Sequence, residues 1–245
     1  MAVGSQGIKA RATPCALAVA MSLTFAAGAT AVTKRGGAGG DTLVGTQQAD
    51  RLAGHGGNDA LRGLGGPDRL DGGDGRDRVD GGSGNDGLSG GTNRDVVLGG
   101  AGDDRADGAG GNDRIDGGSG NDRIFGGPGI DRITGGTGDD SIGGGSQADV
   151  IDGGAGRDTI TGDAADDRIS GAADGDRLDG GPGSDRVDGG GGDDQIDGGL
   201  GSDLLLGGAG NDFIVEQMPA SDERADGGPG DDYIFTGGGT DRVIR

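Results

Sequence analysis

Along most of the chain a single aliphatic residue recurs every ninth position, with polar residues and glycine between. From Gly36 to Val215 it returns without a slip as Leu43, Leu52, Leu61, Leu70, Val79, and so on to Leu205 and Ile214. Ala106 is the one member of this column smaller than valine. Its neighbours are mostly polar, as in Arg69-Leu70-Asp71 and Arg186-Val187-Asp188. Polar, apolar, polar over three residues is the alternation of a strand. Ahead of each such run stands a glycine-rich segment, for example Gly117-Gly118-Ser119-Gly120-Asn121-Asp122. Glycine permits positive φ and close backbone packing. Each unit therefore reads as a turn plus a short strand, and two units of nine close one eighteen-residue coil. The 20 units of 36–215 make ten coils. At about 4.7–4.9 Å per stacked strand they predict a rod of about 45–50 Å.

Within the units, position one is Gly in all 20, position two in 14 and position four in 15, and position six is Asp in all 20. Twenty copies in phase are a specific signal where one would be weak. The pattern resembles the hemolysin-type calcium-binding repeat, the RTX nonapeptide G-G-x-G-x-D-x-U-x with U aliphatic. The resemblance covers 36–215 and two further units, 227–235 and 236–244, with 216–226 interrupting the phase. It implies an all-β fold, a parallel β-roll or β-solenoid of nine-residue repeats, two to each eighteen-residue coil. It also implies calcium held between the turns of units n and n+2 by Asp carboxylates and turn carbonyls, so that Asp104 would pair with Asp122 and Asp113 with Asp131. The ligand set carried over is Asp41, Asp59, Asp68, Asp77, Asp86, Asp95, Asp104, Asp113, Asp122, Asp131, Asp140, Asp149, Asp158, Asp185, Asp194, Asp203, Asp212 and Asp232. Two columns of ten turns leave nine gaps each, which sets a ceiling of 18 ions for the unbroken block.

Composition explains why a metal would be needed. Glycine supplies 66 of 245 residues, aromatics 2%, and the formal net charge is −21. A chain so poor in large apolar residues and so charged cannot build a conventional core. Its acidity excludes a basic nucleic-acid surface, and glycine does not recur every third residue as collagen requires. Stacked turns bring aspartates together, so the metal-free chain is expected to be largely unfolded. With one His and one Cys, the chain lacks the N and S ligands of a zinc site. Calcium accepts six to eight oxygens in loose geometry, whereas magnesium demands a tighter octahedron. Units that depart from the pattern are Thr46 and Gln48 in 45–53, Asn93 in 90–98, Gln147 in 144–152, Asp163 and Ala165 in 162–170, and Ala172 and Asp174 in 171–179. Weak or empty sites are expected around 45–53 and 162–179, and the tightest in 99–143.

The first 31 residues differ from the rest. Lys9 and Arg11 precede the apolar run Cys15–Ala27, and Ala29-Thr30-Ala31 supplies small residues before Val32. This is the layout of a cleaved secretory signal peptide, so the protein is expected to be secreted, with 32–35 a short linker. After cleavage the mature chain would lack cysteine and would carry no segment apolar enough to span a membrane. Residues 216–245 read as interrupted repeats and a C-terminal cap, with Phe213, Tyr233 and Phe235 covering the last coil.

No enzymatic activity is expected. Gly87-Leu88-Ser89-Gly90-Gly91 matches G-x-S-x-G, but it straddles a repeat junction and the only His is His55, in a turn. No non-repeat region is long enough for a catalytic domain. Position seven is Arg in ten of the 20 units and position nine is often Asp. These outward charges read as a solvated surface with weak ion pairs. The alternative is an extracellular structural or adhesive spacer whose charged faces bind a cell-surface or matrix polymer.

Overall fold

The computed structural model describes residues 30–215, 224–235 and 242–244. The signal peptide thus lies outside the described residues up to position 29, as do 216–223 of the interruption. All regular structure among the described residues is strand, in 24 segments from β1 (Thr33–Arg35) to β24 (Arg242–Ile244). Odd-numbered strands form one twelve-stranded sheet and even-numbered strands the other. Every pairing is parallel and skips one strand. Thus Ile115 of β10 (Arg114–Ser119) sits beside Ile133 of β12 (Arg132–Thr137), two repeat units further along the chain. This is the expected β-solenoid.

Most strands are six residues long, twice the expected length, because they run on through positions one to three of the next unit. Their burial pattern is that of β12: Arg132 exposed, Ile133 buried, Thr134 half-buried, Gly135 buried, Gly136 half-buried, Thr137 exposed. Two positions therefore face inward, eight and one. Position eight supplies the buried apolar core, two facing files with one on each sheet, from Leu52 to Ile214 and Ala225, none more than 5% exposed. Position one faces inward without a side chain, which leaves room for the aspartate of its own unit.

Glycine serves two separate needs. At position one the constraint is space: a Cβ on Gly135 would lie 2.4 Å from Asp140 Oδ2 and 2.5 Å from the Gly153 carbonyl oxygen of the next coil. At positions two and four the constraint is positive φ, as at Gly118 (105°) and Gly120 (121°). Where other residues replace these two glycines, most keep the left-handed conformation. His55, Leu64, Asn93, Ala109, Gln147, Asp163, Ala165, Ala172 and Asp174 have φ between 66° and 93°. Each bears a cost of about 1–2 kcal/mol, so the stacked coils on either side dictate the turn. Thr46 and Gln48 are the departures that leave the left-handed region.

Two boundaries and the placement of the aromatics differ from the expectations above. The linker 32–35 contains β1, which pairs with β3 (Arg51–Gly56). The end of the interruption is a strand, β22 (Arg224–Asp226), and it pairs with β20 (Leu204–Ala209), Leu205 lying beside Ala225. The pairing offset here is 20 residues instead of 18, and Ala225 is still the buried, inward residue of its strand. The aromatics do not fold over the end of the rod. Phe213 of β21 (Phe213–Val215) and Tyr233 of β23 (Tyr233–Phe235) stack on the outer face, centroids 5.2 Å apart and 3° from parallel. Phe235 is 54% exposed.

Candidate metal columns

Position six lies where the turn enters the strand, so the stacking of coils aligns its aspartates in two columns, one at the mouth of each sheet. From Asp50 to Asp212 they are buried, none more than 4% exposed. One carboxylate oxygen is fixed by the coil before it. The Asp104 N–H donates to Asp122 Oδ1 at 2.7 Å, and the Asp113 N–H to Asp131 Oδ1 at 2.7 Å. The resemblance places a shared calcium between these same aspartates; the structure joins them by a backbone N–H to carboxylate hydrogen bond. The other oxygen, Oδ2, has no hydrogen-bond partner among the described residues in every position-six aspartate from Asp59 to Asp194, and in Asp212.

A buried, donorless carboxylate oxygen is costly, and here the cost recurs at each rung. Burial, opposed by the backbone N–H and reinforced by neighbouring aspartates, pushes the carboxyl groups of Asp95, Asp104, Asp140, Asp149, Asp176 and Asp185 up to about 7. Asp86, Asp113, Asp167 and Asp194 rise to about 6 for the same first cause, burial. At most position-one glycines a backbone carbonyl of the next coil faces the same space as Oδ2. The point a Cβ on Gly117 would occupy is 2.4 Å from Asp122 Oδ2 and 2.6 Å from Gly135 O. Each turn column is therefore a file of hard oxygens, one carboxylate and one carbonyl per coil. This donor set fits calcium. Among the described residues no three His, Cys, Asp or Glu side chains converge on one point, so any ion here would draw on carbonyls as well as paired aspartates.

The column ends differ from its middle. Asp41 is half-buried and its Oδ2 accepts the Gly37 N–H at 2.6 Å. Asp232, also half-buried, accepts the Asp212 N–H at 3.1 Å across the longer coil. Asp50 stands outside the carried-over ligand set, in the unit 45–53 where a weak or empty site is expected. Its Oδ2 accepts the Thr46 N–H at 2.5 Å and the Thr46 hydroxyl at 3.0 Å. Asp167 and Asp176 lie in 162–179, where weak or empty sites are also expected, yet they carry the arrangement of the regular rungs: buried, Oδ1 bonded, Oδ2 without a donor. The substitutions at 163, 165, 172 and 174 preserve the positive φ that the turn needs, so they leave the aspartate where it was.

One ladder escaped the sequence reading. Position-five side chains accept from the backbone N–H one coil later: Asn85 from Asp103, Asp103 from Asn121, Asn121 from Asp139, Asp139 from Arg157, all between 2.9 and 3.1 Å. The signal was the recurrence of Asn or Asp at that position. On the outer faces, Arg78 pairs with Asp80 at 3.7 Å and Arg186 with Asp188 at 3.5 Å, both partly exposed. Ser89 lies within β7 (Gly87–Thr92), not on a strand–turn–helix elbow. Among the described residues no helix is long and apolar enough to cross a membrane.

A family model described as the RTX calcium-binding nonapeptide repeat matches this chain in overlapping segments: 35–70, 54–88, 89–124, 116–151, 125–160, 143–178, 179–214 and 220–244. No curated protein matches the chain.

Proposed function

Because the chain belongs to the RTX calcium-binding nonapeptide repeat family, we propose that it is an exported, non-enzymatic protein whose β-roll folds on calcium uptake. The supporting observation is the file of buried Asp Oδ2 atoms without a donor. Bound calcium supplies the positive charge that these oxygens lack. The chain's own residues prepare the site. Backbone N–H groups orient each carboxylate through Oδ1, position-one glycines leave room for it on the inward side, and the strand ladder fixes the coil spacing. Ligand-coupled folding follows, since an ion that binds only the folded roll shifts the equilibrium by mass action. Extracellular modules bind calcium at about 10⁻⁴–10⁻³ M. The chain would then stay unfolded in a low-calcium cytosol and fold outside. The charged leader, apolar run and Ala29-Thr30-Ala31 support export by the general secretory route. The test is circular dichroism in EGTA and in millimolar calcium, with calorimetric titration. An unchanged sheet spectrum and melting temperature in chelator would overturn the proposal.

The spacer reading has its own support in the outer faces. Arg114 and Arg132 are direct neighbours, as are Arg168 and Arg186. Arg94, Arg114, Arg132 and Ile130 line an open groove of about 490 Å³. Calcium-dependent retention on an anionic polysaccharide column, abolished by Arg114→Gln with Arg132→Gln, would establish that role.

A further inference from the structure

The first rung of one aspartate column is built differently from the rest. In the later rungs the donor to Oδ1 is the N–H of another position-six aspartate. At the first rung that register position is Val32, and its backbone nitrogen lies 2.5 Å from Asp50 Oδ1. Val32 is half-buried and packs against the apolar core. Asp50 is 2% exposed, and its Oδ2 is satisfied by Thr46. The Asp50 carboxylate thus has chain donors on both oxygens, yet no cationic group of the described chain is paired with it. Immediately before Val32, Thr30 and Ala31 are exposed and outside any strand.

We propose that hydrolysis of the Ala31–Val32 peptide bond creates an α-ammonium at Val32 that forms a buried ion pair with Asp50 and closes this end of the column. The inference rests on the export reading, which places the cut after Ala31. A peptidase with small-residue specificity adds the hydroxyl of water to the Ala31 carbonyl carbon. The C–N bond breaks, the nitrogen of Val32 leaves as an amine, and at neutral pH it takes a further proton from solvent. The nitrogen already lies within hydrogen-bond reach of Asp50 in the roll, so the new charge needs no rearrangement. Charge-assisted hydrogen bonds exceed neutral ones, and this one neutralises a carboxylate whose rung lacks an orphan oxygen for a dication. Cutting one residue earlier would leave Val32 an ordinary amide and put the ammonium in solvent.

The test compares full mature chains in saturating calcium. One starts at Val32, one starts at Ala31, and each is also made as Asp50→Asn, which retains the Oδ1 acceptor. Urea unfolding should show a folding equilibrium constant roughly ten- to a hundredfold larger for the Val32 start, a difference that disappears in the Asp50→Asn pair. N-α-acetylation of the Val32 chain should abolish the gain. Equal stabilities of the two starts, or a gain that survives Asp50→Asn, would overturn the proposal. Intact-mass analysis of the protein from the culture medium reports the cut separately. A start at Val32 supports the proposal, and an exported chain cut elsewhere overturns it while leaving export standing. An uncut chain retained in the cell overturns both.

Discussion

The position-one glycine gives the sharpest test of how this roll is packed. In Gly135→Ala the new methyl would sit 2.4 Å from Asp140 Oδ2 and 2.5 Å from Gly153 O, where ordinary contact begins at 3.4 Å. Either the coil spacing opens by roughly 1 Å, or the Asp140 carboxylate leaves the Asp122 N–H that it accepts at 2.8 Å. Overpacking of this kind costs about 1–3 kcal/mol, and losing a hydrogen bond to a charged group about 1.5–3 kcal/mol. Alanine returns about 0.4–1 kcal/mol by restricting the unfolded chain. The net expectation is a loss of about 2 kcal/mol. Gly110→Ala is the control, because a Cβ there meets nothing within 4 Å. It should be neutral or stabilising by up to about 1 kcal/mol. Urea unfolding of both variants in saturating calcium, with equal m-values, measures the difference. If Gly135→Ala proved as stable as the parent, or Gly110→Ala as damaging as Gly135→Ala, the spatial argument for position one would fail.

Further expectations concern charge, core and backbone. In chelator, Asp95, Asp104, Asp140 and Asp149 titrate near 7 in the roll against an ordinary 3.8. A carboxyl raised in the folded state favours folding when protonated. Metal-free stability should therefore be fully present below about 3.8 and be lost as pH rises through about 7. Circular dichroism in EGTA at pH 8 and pH 5 checks the sign, and a sheet signal that falls on acidification would contradict it. With calcium present the order reverses, and titrations should show affinity falling below about pH 7 as protons compete for the same oxygens. Ile133→Ala, at a site 1% exposed, should cost about 2–5 kcal/mol in a urea melt. Ala109→Gly removes a left-handed alanine at φ 66°, relieving about 1–2 kcal/mol of strain against about 0.4–1 kcal/mol of added unfolded-state entropy. Thermal melts should show a small gain, and a lower melting temperature would mean that Ala109 is not strained.

Where the sequence was legible, it was because one residue type had one task. Leucine, isoleucine and valine at position eight could only face inward, and their period of nine set both the coil and the two-sheet topology. Aspartate at position six marked the columns for the same reason. Glycine was harder to read, because one letter met two demands. Absent glycine at 163, 165, 172 and 174 looked like a broken turn, yet the neighbouring coils hold those residues at positive φ. The irreplaceable glycines were those at position one, where the carboxylate and a carbonyl fill the space a methyl would need. The strand at 224–226 was hidden because two extra residues displaced the period while Ala225 still served as its inward side chain. The Asn and Asp ladder at position five was visible as a bias without a geometry to give it meaning.

Successive units alternate between the two sheets, so this architecture treats a single unit and a pair of units as different quantities. Excising two consecutive units would shorten the rod by one storey and leave every remaining face as it was. Excising one would still give a foldable rod, but everything downstream would turn half a revolution. Arginine stripes now on one broadside would continue on the opposite one. Variation in length that preserves a recognition surface is therefore restricted to paired units, while loss of a single unit offers a route to a new arrangement of surface charge with no change to the interior.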